Sequence, residues 1–141
     1  MVDTQVFKDA RGFHPELGIY GGGEPYFQIK LQRLGYKHQV NPEWSVRHLA
    51  MRRGYSFNND DLWRNFLLAS WAVGGAEAQE PYYLGLLKKL RKNHEGDTLK
   101  TYITNLMMIR EDAISAANED RRWIDKHATK SYKDVIDATK A

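Results

Sequence analysis

Five histidines are the first residues to consider for chemistry, because imidazole binds metals and transfers protons near neutral pH. They are His14, His38, His48, His94 and His127. No two of them have the four-residue spacing of a metal-binding helix, and no Glu-x-x-His motif occurs. We therefore expect them at the surface or at helix ends, and we predict no metal site and no cofactor.

The remaining side chains give no catalytic pattern either. The chain has no cysteine, which excludes thiol nucleophiles, disulfides and thiolate metal sites, and it has no Gly-x-Ser-x-Gly motif. Asp60-Asp61 is explained by helix capping. Glu111-Asp112 and Glu119-Asp120 adjoin arginines, which is typical of a solvated helix face with ion pairs. We predict that the protein is not an enzyme. An enzyme of unfamiliar type would need a polar pocket that gathers residues such as His48, Asp60, Glu77 or Glu80.

A basic run is the first feature that suggests a ligand. Lys88, Lys89, Arg91 and Lys92 follow one another without an intervening acidic residue. Clustered cations bind phosphates, although such a run is more commonly a solvated helix face. The net charge of +3 and the pI near 9.1 permit nucleic acid as a partner without arguing for it. These four residues are the predicted phosphate-binding site if the protein binds nucleic acid.

Two short motifs resemble nucleotide- or DNA-binding elements. Leu49-Ala50-x-x-x-Gly54-Tyr55-Ser56 is similar to the first helix and turn of helix-turn-helix modules, which implies DNA binding through the next helix. That helix would be residues 60–73, whose acidic start and apolar body suit a protein core. The triple glycine at 21–23 lacks the Gly-Lys-Ser/Thr ending of a phosphate-binding loop, and no apolar strand precedes it.

Aromatic residues in both terminal regions indicate surfaces for other protein chains. Residues 1–24 form a glycine-rich arm, in which helix and strand are disfavoured, yet the arm carries several aromatic rings. It must lie against its own domain or against a neighbouring subunit. Near the other end, a tryptophan and an isoleucine are isolated among charges. The predicted partner-binding residues are Phe7, Phe13, Tyr20, Trp123, Ile124 and Tyr132.

The helix that must organise these features is Asp60–Val73, the most apolar segment of the chain. Two aspartates open it and Gly74-Gly75 closes it, which matches the start and stop signals of a helix. Apolar residues occupy nearly all of its sides, so we expect it to be buried on nearly every side.

Proline-initiated segments lie on both sides of this central helix. Residues 24–34 alternate like a strand, yet Pro25 and Gly35 suit the ends of a helix. The same Glu-Pro-Tyr-aromatic opening recurs at residue 80, where the pattern is helical. This similarity between 24–38 and 80–94 is either a duplication or a chance likeness of two amphipathic helices. Residues 41–53 form a third predicted helix, which Asn41 caps.

The longest helical pattern follows Asp97, its predicted cap, and its apolar stripe becomes sparse after Ala117. A short amphipathic piece begins near Ser131. The longest apolar run is far shorter than the roughly 20 residues that span a bilayer, and no signal peptide is evident, so we expect a soluble protein without a membrane partner.

These patterns predict a single all-α domain, a helical bundle of about five helices with a long C-terminal helix. Its parts are a glycine-rich and aromatic arm at 1–24, the bundle at 25–128, and a short helix or tail at 129–141. The leading functional hypothesis is a non-enzymatic subunit of a larger assembly, with homo- or hetero-oligomeric protein partners. Phage or virus particles use such proteins as connectors or capsid-associated subunits. The alternative is a small basic nucleic-acid-binding or regulatory protein.

Overall fold

The structure is a computed structural model that describes residues 2–18, 21–37 and 58–140. These residues contain helices and no strand, as the all-α prediction requires. The helices are α1 (Thr4–Asp9), α2 (Gly23–Arg33), α3 (Asn59–Asn93), α4 (Gly96–His127) and α5 (Tyr132–Ala138). None of them is long and apolar enough to cross a membrane. The helix predicted at 41–53, the motif similar to helix-turn-helix modules, and Tyr20 lie outside the described residues.

Helix α3 is two helices that run in opposite directions. The rings of Phe66 and Tyr82 lie 5.3 Å apart between centroids, although sixteen residues of straight helix would separate them by about 24 Å. The Gln79 side chain donates to the carbonyl of Leu67, twelve residues earlier, at 3.0 Å. The chain therefore reverses at Gly75, between α3a (residues 59–74) and α3b (residues 76–93). This confirms the predicted end of the central helix, whereas Pro81 lies inside α3b and does not begin it.

Only glycine suits the reversal. Gly75 has φ 59° and ψ −142°, a region that is nearly restricted to glycine. A Cβ atom there would also lie 2.8 Å from the Arg121 guanidinium. The preceding Gly74 is needed for a different reason, which is close packing. A Cβ atom added there would lie 2.4 Å from the Cβ atom of Ala78 and 2.8 Å from the Tyr132 ring. The two glycines thus allow α3a, α3b and α5 to meet without a loop.

Two arginines bind the backbone carbonyls that α3a exposes at its end. Arg33 Nη1 donates to the Val73 carbonyl at 2.8 Å, and Arg121 Nη1 donates to the Trp71 carbonyl at 3.5 Å. Asp125 joins both guanidinium groups, at 2.8 Å and 2.6 Å. The last carbonyls of a helix lack partners within the helix and carry partial negative charge, so cations stabilise them. We call Arg33, Arg121 and Asp125 the arginine clamp.

Helix α4 runs alongside both halves of α3. Its contacts with α3a are Asp60–Asn105, Arg64–Asp112 and Trp71–Asn118, so the residue numbers increase in the same direction along both helices. Its contacts with α3b run in the opposite order, at Tyr83–Arg110 and His94–Tyr102. Helix α4 is therefore parallel to α3a and antiparallel to α3b. The α3b–α4 hairpin turns at residues 94–95.

The core lies where α2, α3a, α3b and α4 meet. The prediction that the central helix is buried on nearly every side is confirmed, because none of residues 62–73 is exposed. The residues of segment 24–34 that are buried follow helical spacing, so its alternative interpretation as a strand is wrong. The largest apolar side chains that are almost fully buried are Tyr26, Leu67, Leu68, Val73, Leu106 and Ile124.

In two helices, the N-cap residue differs from the predicted one. Asn58 caps α3, where its side chain accepts from the Asp61 amide at 2.7 Å. Asp60 and Asp61 lie in the first turn, where carboxylates interact well with the helix dipole. Similarly, the cap position of α4 is Glu95, and Asp97 lies in the first turn. The predicted helix near Ser131 is confirmed, with a capping box between Ser131 and Asp134.

The N-terminal arm lies against its own domain and contains a short helix, which the glycine-rich sequence did not predict. Asp3 caps α1 by accepting from the Gln5 amide at 2.7 Å. The rings of Phe7 and Phe13 then lie 5.2 Å and 4.9 Å from the ring of Phe27 on α2. These three phenylalanines attach the arm to the bundle.

The reversal gives a matched pair of glycine variants. Gly75→Ala should lower the free energy of unfolding by about 1–3 kcal/mol, since alanine is strained at this φ and ψ. Gly85→Ala should instead raise it by about 0.4–1 kcal/mol, because Gly85 lies inside α3b and nothing lies within 4 Å of its added Cβ atom. Urea denaturation followed by circular dichroism measures both values. Equal effects of the two variants would contradict the assigned reversal.

Candidate functional site

The groups best suited to chemistry lie beneath the N-terminal arm. Tyr26 and Lys30 are one helical turn apart on α2, so their side chains lie on the same face. Lys30 Nζ lies 2.7 Å from Tyr26 Oη, 3.3 Å from Asp120 Oδ1 on α4 and 3.3 Å from the Gly12 carbonyl. Tyr26 Oη also donates to Asp120 Oδ2. We call Tyr26, Lys30 and Asp120 the buried triad.

His14 from the arm completes this region. Its ring lies 6.3 Å from the Tyr26 ring and is nearly perpendicular to it. Its Nδ1 atom accepts a hydrogen bond from the Glu16 amide at 3.1 Å. Burial lowers the pKa of His14, against the opposing effect of Asp120 and Glu16. A tyrosine, a lysine, a carboxylate and an imidazole are therefore brought together, which is a set of groups able to transfer protons.

The triad is nevertheless enclosed. Lys30 is 0% exposed and Tyr26 is 1% exposed. Each of the three protons of a lysine ammonium has an oxygen acceptor here, in Tyr26, Asp120 and the Gly12 carbonyl. Burial lowers the pKa of Lys30, opposed by Asp120. Burial and Asp120 together raise the pKa of Tyr26 far above its ordinary value, so its hydroxyl remains protonated. This arrangement holds the arm, α2 and α4 together.

Sequence reasoning did not find the triad. Asp120 was assigned to a solvated helix face, yet it lies 3.3 Å from a buried lysine. One signal was present in the Tyr-x-x-x-Lys spacing at 26–30, which places two polar groups beside Phe27 and Leu31 on a largely apolar helix. The partner on α4 follows ninety residues later and has no local signal.

Of the residues suggested for an unfamiliar enzyme, the three that the structure describes are not brought together in one pocket. His48 lies outside the described residues. Asp60, Glu77 and Glu80 are all exposed. Asp60 lies at the start of α3a, whereas Glu77 and Glu80 lie just beyond the reversal at its other end. In the described residues, no group of three or more histidines and carboxylates is placed to hold a metal ion.

The five predicted partner-binding residues that the structure describes differ in exposure. Phe7 and Phe13 are 38% and 48% exposed, so part of each ring remains accessible. Trp123 is half-buried among the cations of Arg11 and Lys30 and stacks on His127. Tyr132 is half-buried against Gly74. Ile124 is 0% exposed and belongs to the core, so the prediction of a partner contact for it is corrected.

The end of the α3b–α4 hairpin is basic. Lys88, Lys89, Arg91 and Lys92 are all exposed, and none of them forms an ion pair with another described residue. Lys88 and Lys92 are one turn apart and share the outer face of α3b with Arg91. We call these four residues the basic face. Its charges are directed to the solvent, where an anionic partner can reach them.

The same hairpin carries exposed apolar side chains that sequence reasoning missed. They are Leu84, Tyr102, Met107 and Met108, which are between 38% and 61% exposed. A cavity of about 500 Å³ also lies along α4. The described residues that line it are Lys100, Thr101, Tyr102, Thr104, Asn105 and Met108. The signal for Met107 and Met108 was their position outside the apolar stripe that passes through Leu106.

No protein family, curated protein or solved structure matches this chain.

The buried triad can be tested by removing its cation. Lys30→Met should lower the free energy of unfolding by about 3 kcal/mol, because it leaves the Asp120 carboxylate in a largely buried position without its partner. The double variant Lys30→Met/Asp120→Asn should recover part of this loss. Lys37→Met, at an exposed lysine just after α2, should change the value by less than about 0.5 kcal/mol. Urea denaturation measures all three, and a Lys30→Met variant as stable as Lys37→Met would contradict the assignment.

Proposed function

We propose that this protein is a non-enzymatic subunit that assembles with copies of its own chain through the outer surface of the α3b–α4 hairpin. The observation that carries the proposal is the group of large apolar side chains exposed there. Met108 is 61% exposed, Met107 is 50% exposed and Leu84 is 55% exposed. Leu84 lies on α3b and the two methionines lie on the neighbouring α4, and exposed apolar residues on adjoining elements commonly mark a protein-binding surface.

The residue types fit an interface. Methionine is flexible and polarisable, so it adapts to the shape of a partner. Tyrosine is enriched among the residues that dominate binding energy, and Tyr102 is fixed by its ring contact with His94, at 4.5 Å between centroids. A ring that is already ordered loses less conformational freedom on binding. The enclosed triad supports the non-enzymatic part of the proposal, since substrate has no access to it in this conformation.

The charges along the hairpin favour a copy of the same chain as partner. The basic face lies at the end of the hairpin near the start of α4, Glu111 lies on the C-terminal side of the two methionines, and all of these residues are exposed. A two-fold contact is formed by the same surface on both subunits. If α4 of one copy packs antiparallel to α4 of another around Met108, the basic end of each copy approaches the acidic end of its partner. Multi-subunit particles, including phage or virus particles with connector or capsid-associated subunits, are the setting we propose.

The assembly is tested by the native mass of the purified protein. Sedimentation velocity over a range of concentrations should show species above the 16.4 kDa of one chain. Met108→Glu should raise the concentration needed for association by about tenfold or more, because it buries a charge in the contact. Gln28→Glu adds the same charge at an exposed position on α2 and should have no effect. A wild-type protein that stays monomeric at all concentrations would refute the proposal.

A second candidate function is binding to nucleic acid, and the basic face favours it. Four exposed cations lie within five residues of one helix end, with no ion pair to another described residue. The neighbouring Lys100 differs, because it pairs with Asp97 at 2.9 Å. Phosphates of a nucleic acid backbone would interact with the basic face without a need for base recognition.

This candidate is tested by charge removal at matched sites. Fluorescence anisotropy with labelled duplex and single-stranded DNA should show binding that weakens steeply with salt. Replacement of Lys88, Lys89, Arg91 and Lys92 by glutamine should reduce the slope of log K against log salt by about 3 to 4 for duplex DNA. Glutamine at the exposed Lys126, Lys130, Lys133 and Lys140, which are interspersed with aspartates, is the control. Equal losses in both variants, or no binding at low salt, would exclude the candidate.

A further inference from the structure

The segment 12–18 of the arm is held against three helices by polar contacts. The Gly12 carbonyl accepts from Lys30 on α2 at 3.3 Å. The Gly18 amide donates to Asn65 Oδ1 on α3a at 3.0 Å. Between them, Arg64 binds the Glu16 carboxylate at 2.8 Å and the Glu16 carbonyl at 3.0 Å. His14 lies at the centre of this segment.

His14 is buried in a form that requires a neutral ring. His14 is only 6% exposed. Nδ1 accepts from the Glu16 amide at 3.1 Å, so the single proton of the neutral ring must be on Nε2. The backbone of Ala116 on α4 also acts on the ring and is the smallest of the influences that raise its pKa. Nδ1 therefore serves the backbone of the docked arm, and the ring as a whole lies between the arm and α4.

Protonation of His14 removes one of these contacts. A proton on Nδ1 converts an acceptor into a donor, which then faces the N–H group of Glu16. Two donors then face each other, and the Glu16 amide loses its partner in a part-buried position. Movement of the arm away from the bundle would relieve this conflict and expose the charged ring to water.

The charged groups around His14 do not offset this conflict. Asp120 faces it from α4, but that carboxylate already binds Lys30 and Tyr26. Glu16 faces it from the arm, but its carboxylate is paired with Arg64. Lys30 faces it from α2 with a charge of the same sign. Burial is the largest effect and, with Lys30, lowers the pKa of His14 despite the two carboxylates.

We propose that His14 is an acid-sensitive latch that holds residues 12–18 of the arm on the bundle at neutral pH and releases them when its ring is protonated. Release would remove the Gly12 carbonyl from Lys30 and uncover the buried triad. It would also free the attached Phe13 ring from Phe27. This inference does not depend on the assembly proposal.

The direction of the pH dependence follows from the lowered pKa. The docked arm has a histidine pKa below the ordinary value of 6.5, while in the released arm the histidine titrates near that value. The docking stability is therefore complete above about pH 6.5 and is lost as the pH falls from there through the lowered pKa.

Hydrogen exchange of individual amides tests the latch. The protection factors of the Glu16 and Gly18 amides, corrected for the intrinsic exchange rate at each pH, should fall by up to about tenfold per unit of pKa difference between pH 7.5 and pH 5. Amides inside α3a and α4 should keep their protection. The midpoint of the fall should follow the titration of the His14 ring itself, observed by NMR in the same sample.

Two histidine variants separate the latch from other acid effects. In His14→Gln the protection of the arm amides should be independent of pH over this range, whether the arm is docked or not. His127→Gln removes an exposed imidazole that stacks on Trp123 and should retain the wild-type pH dependence. The latch would be overturned if His14→Gln shows the same fall as the wild type. A midpoint that follows His127, or an equal fall at all amides of the bundle, would overturn it too.

Discussion

Two guanidinium groups at the end of one helix hold the architecture of this protein in place. The chain reverses at Gly75 with no loop, and the carbonyls of Trp71 and Val73 are left without partners within α3a. Arg121 and Arg33 bind them, and Asp125 orients both arginines. Because these cations come from α2 and α4, the carbonyls at the end of α3a reach these partners only when those helices are in place. The reversal at Gly75, which sets the direction of α3b, lies directly against the Arg121 guanidinium of this clamp.

The clamp also explains how the buried triad is built. Arg33 and Lys30 lie on the same helix, and their partners Asp125 and Asp120 lie on α4, so two ion pairs fix α2 in parallel register with α4. Such pairs contribute little net stability, because burying charge is unfavourable, yet a wrong register would leave each charge without a partner. In this protein the pairs therefore act mainly to select one arrangement of helices. The arm then packs against α2 and α4, whose charged side chains these ion pairs already hold in position.

Local signals in the sequence were sufficient for α2, for the end of α3a and for α5, but insufficient for α1 and for the polar contacts between helices. The glycine pair at 74–75 predicted the end of the central helix, and Ser131 predicted the start of α5, because both effects act within one turn. The Lys30–Asp120 pair joins residues ninety positions apart, and no local pattern encodes it. Charges surround Ile124 in the sequence, which predicts a partner surface, but its side chain is fully buried in the core cluster. Met107 and Met108 were missed for the opposite reason, as they follow a buried leucine within a helical pattern.

The two surfaces with functional potential are physically separate, and this has a consequence for how they can act. The arm and His14 contact α2, α3a and the second half of α4, whereas the exposed methionines and the basic face lie on α3b and the first half of α4. Coupling between distant sites requires an element whose two states both sites influence. Helix α4 passes through both regions, but its buried residues Leu106, Ala113, Ala117 and Ile124 form one continuous core stripe. Because these residues share one core cluster with residues of α3, release of the arm alone would leave the hairpin in place, and we expect the two regions to act independently.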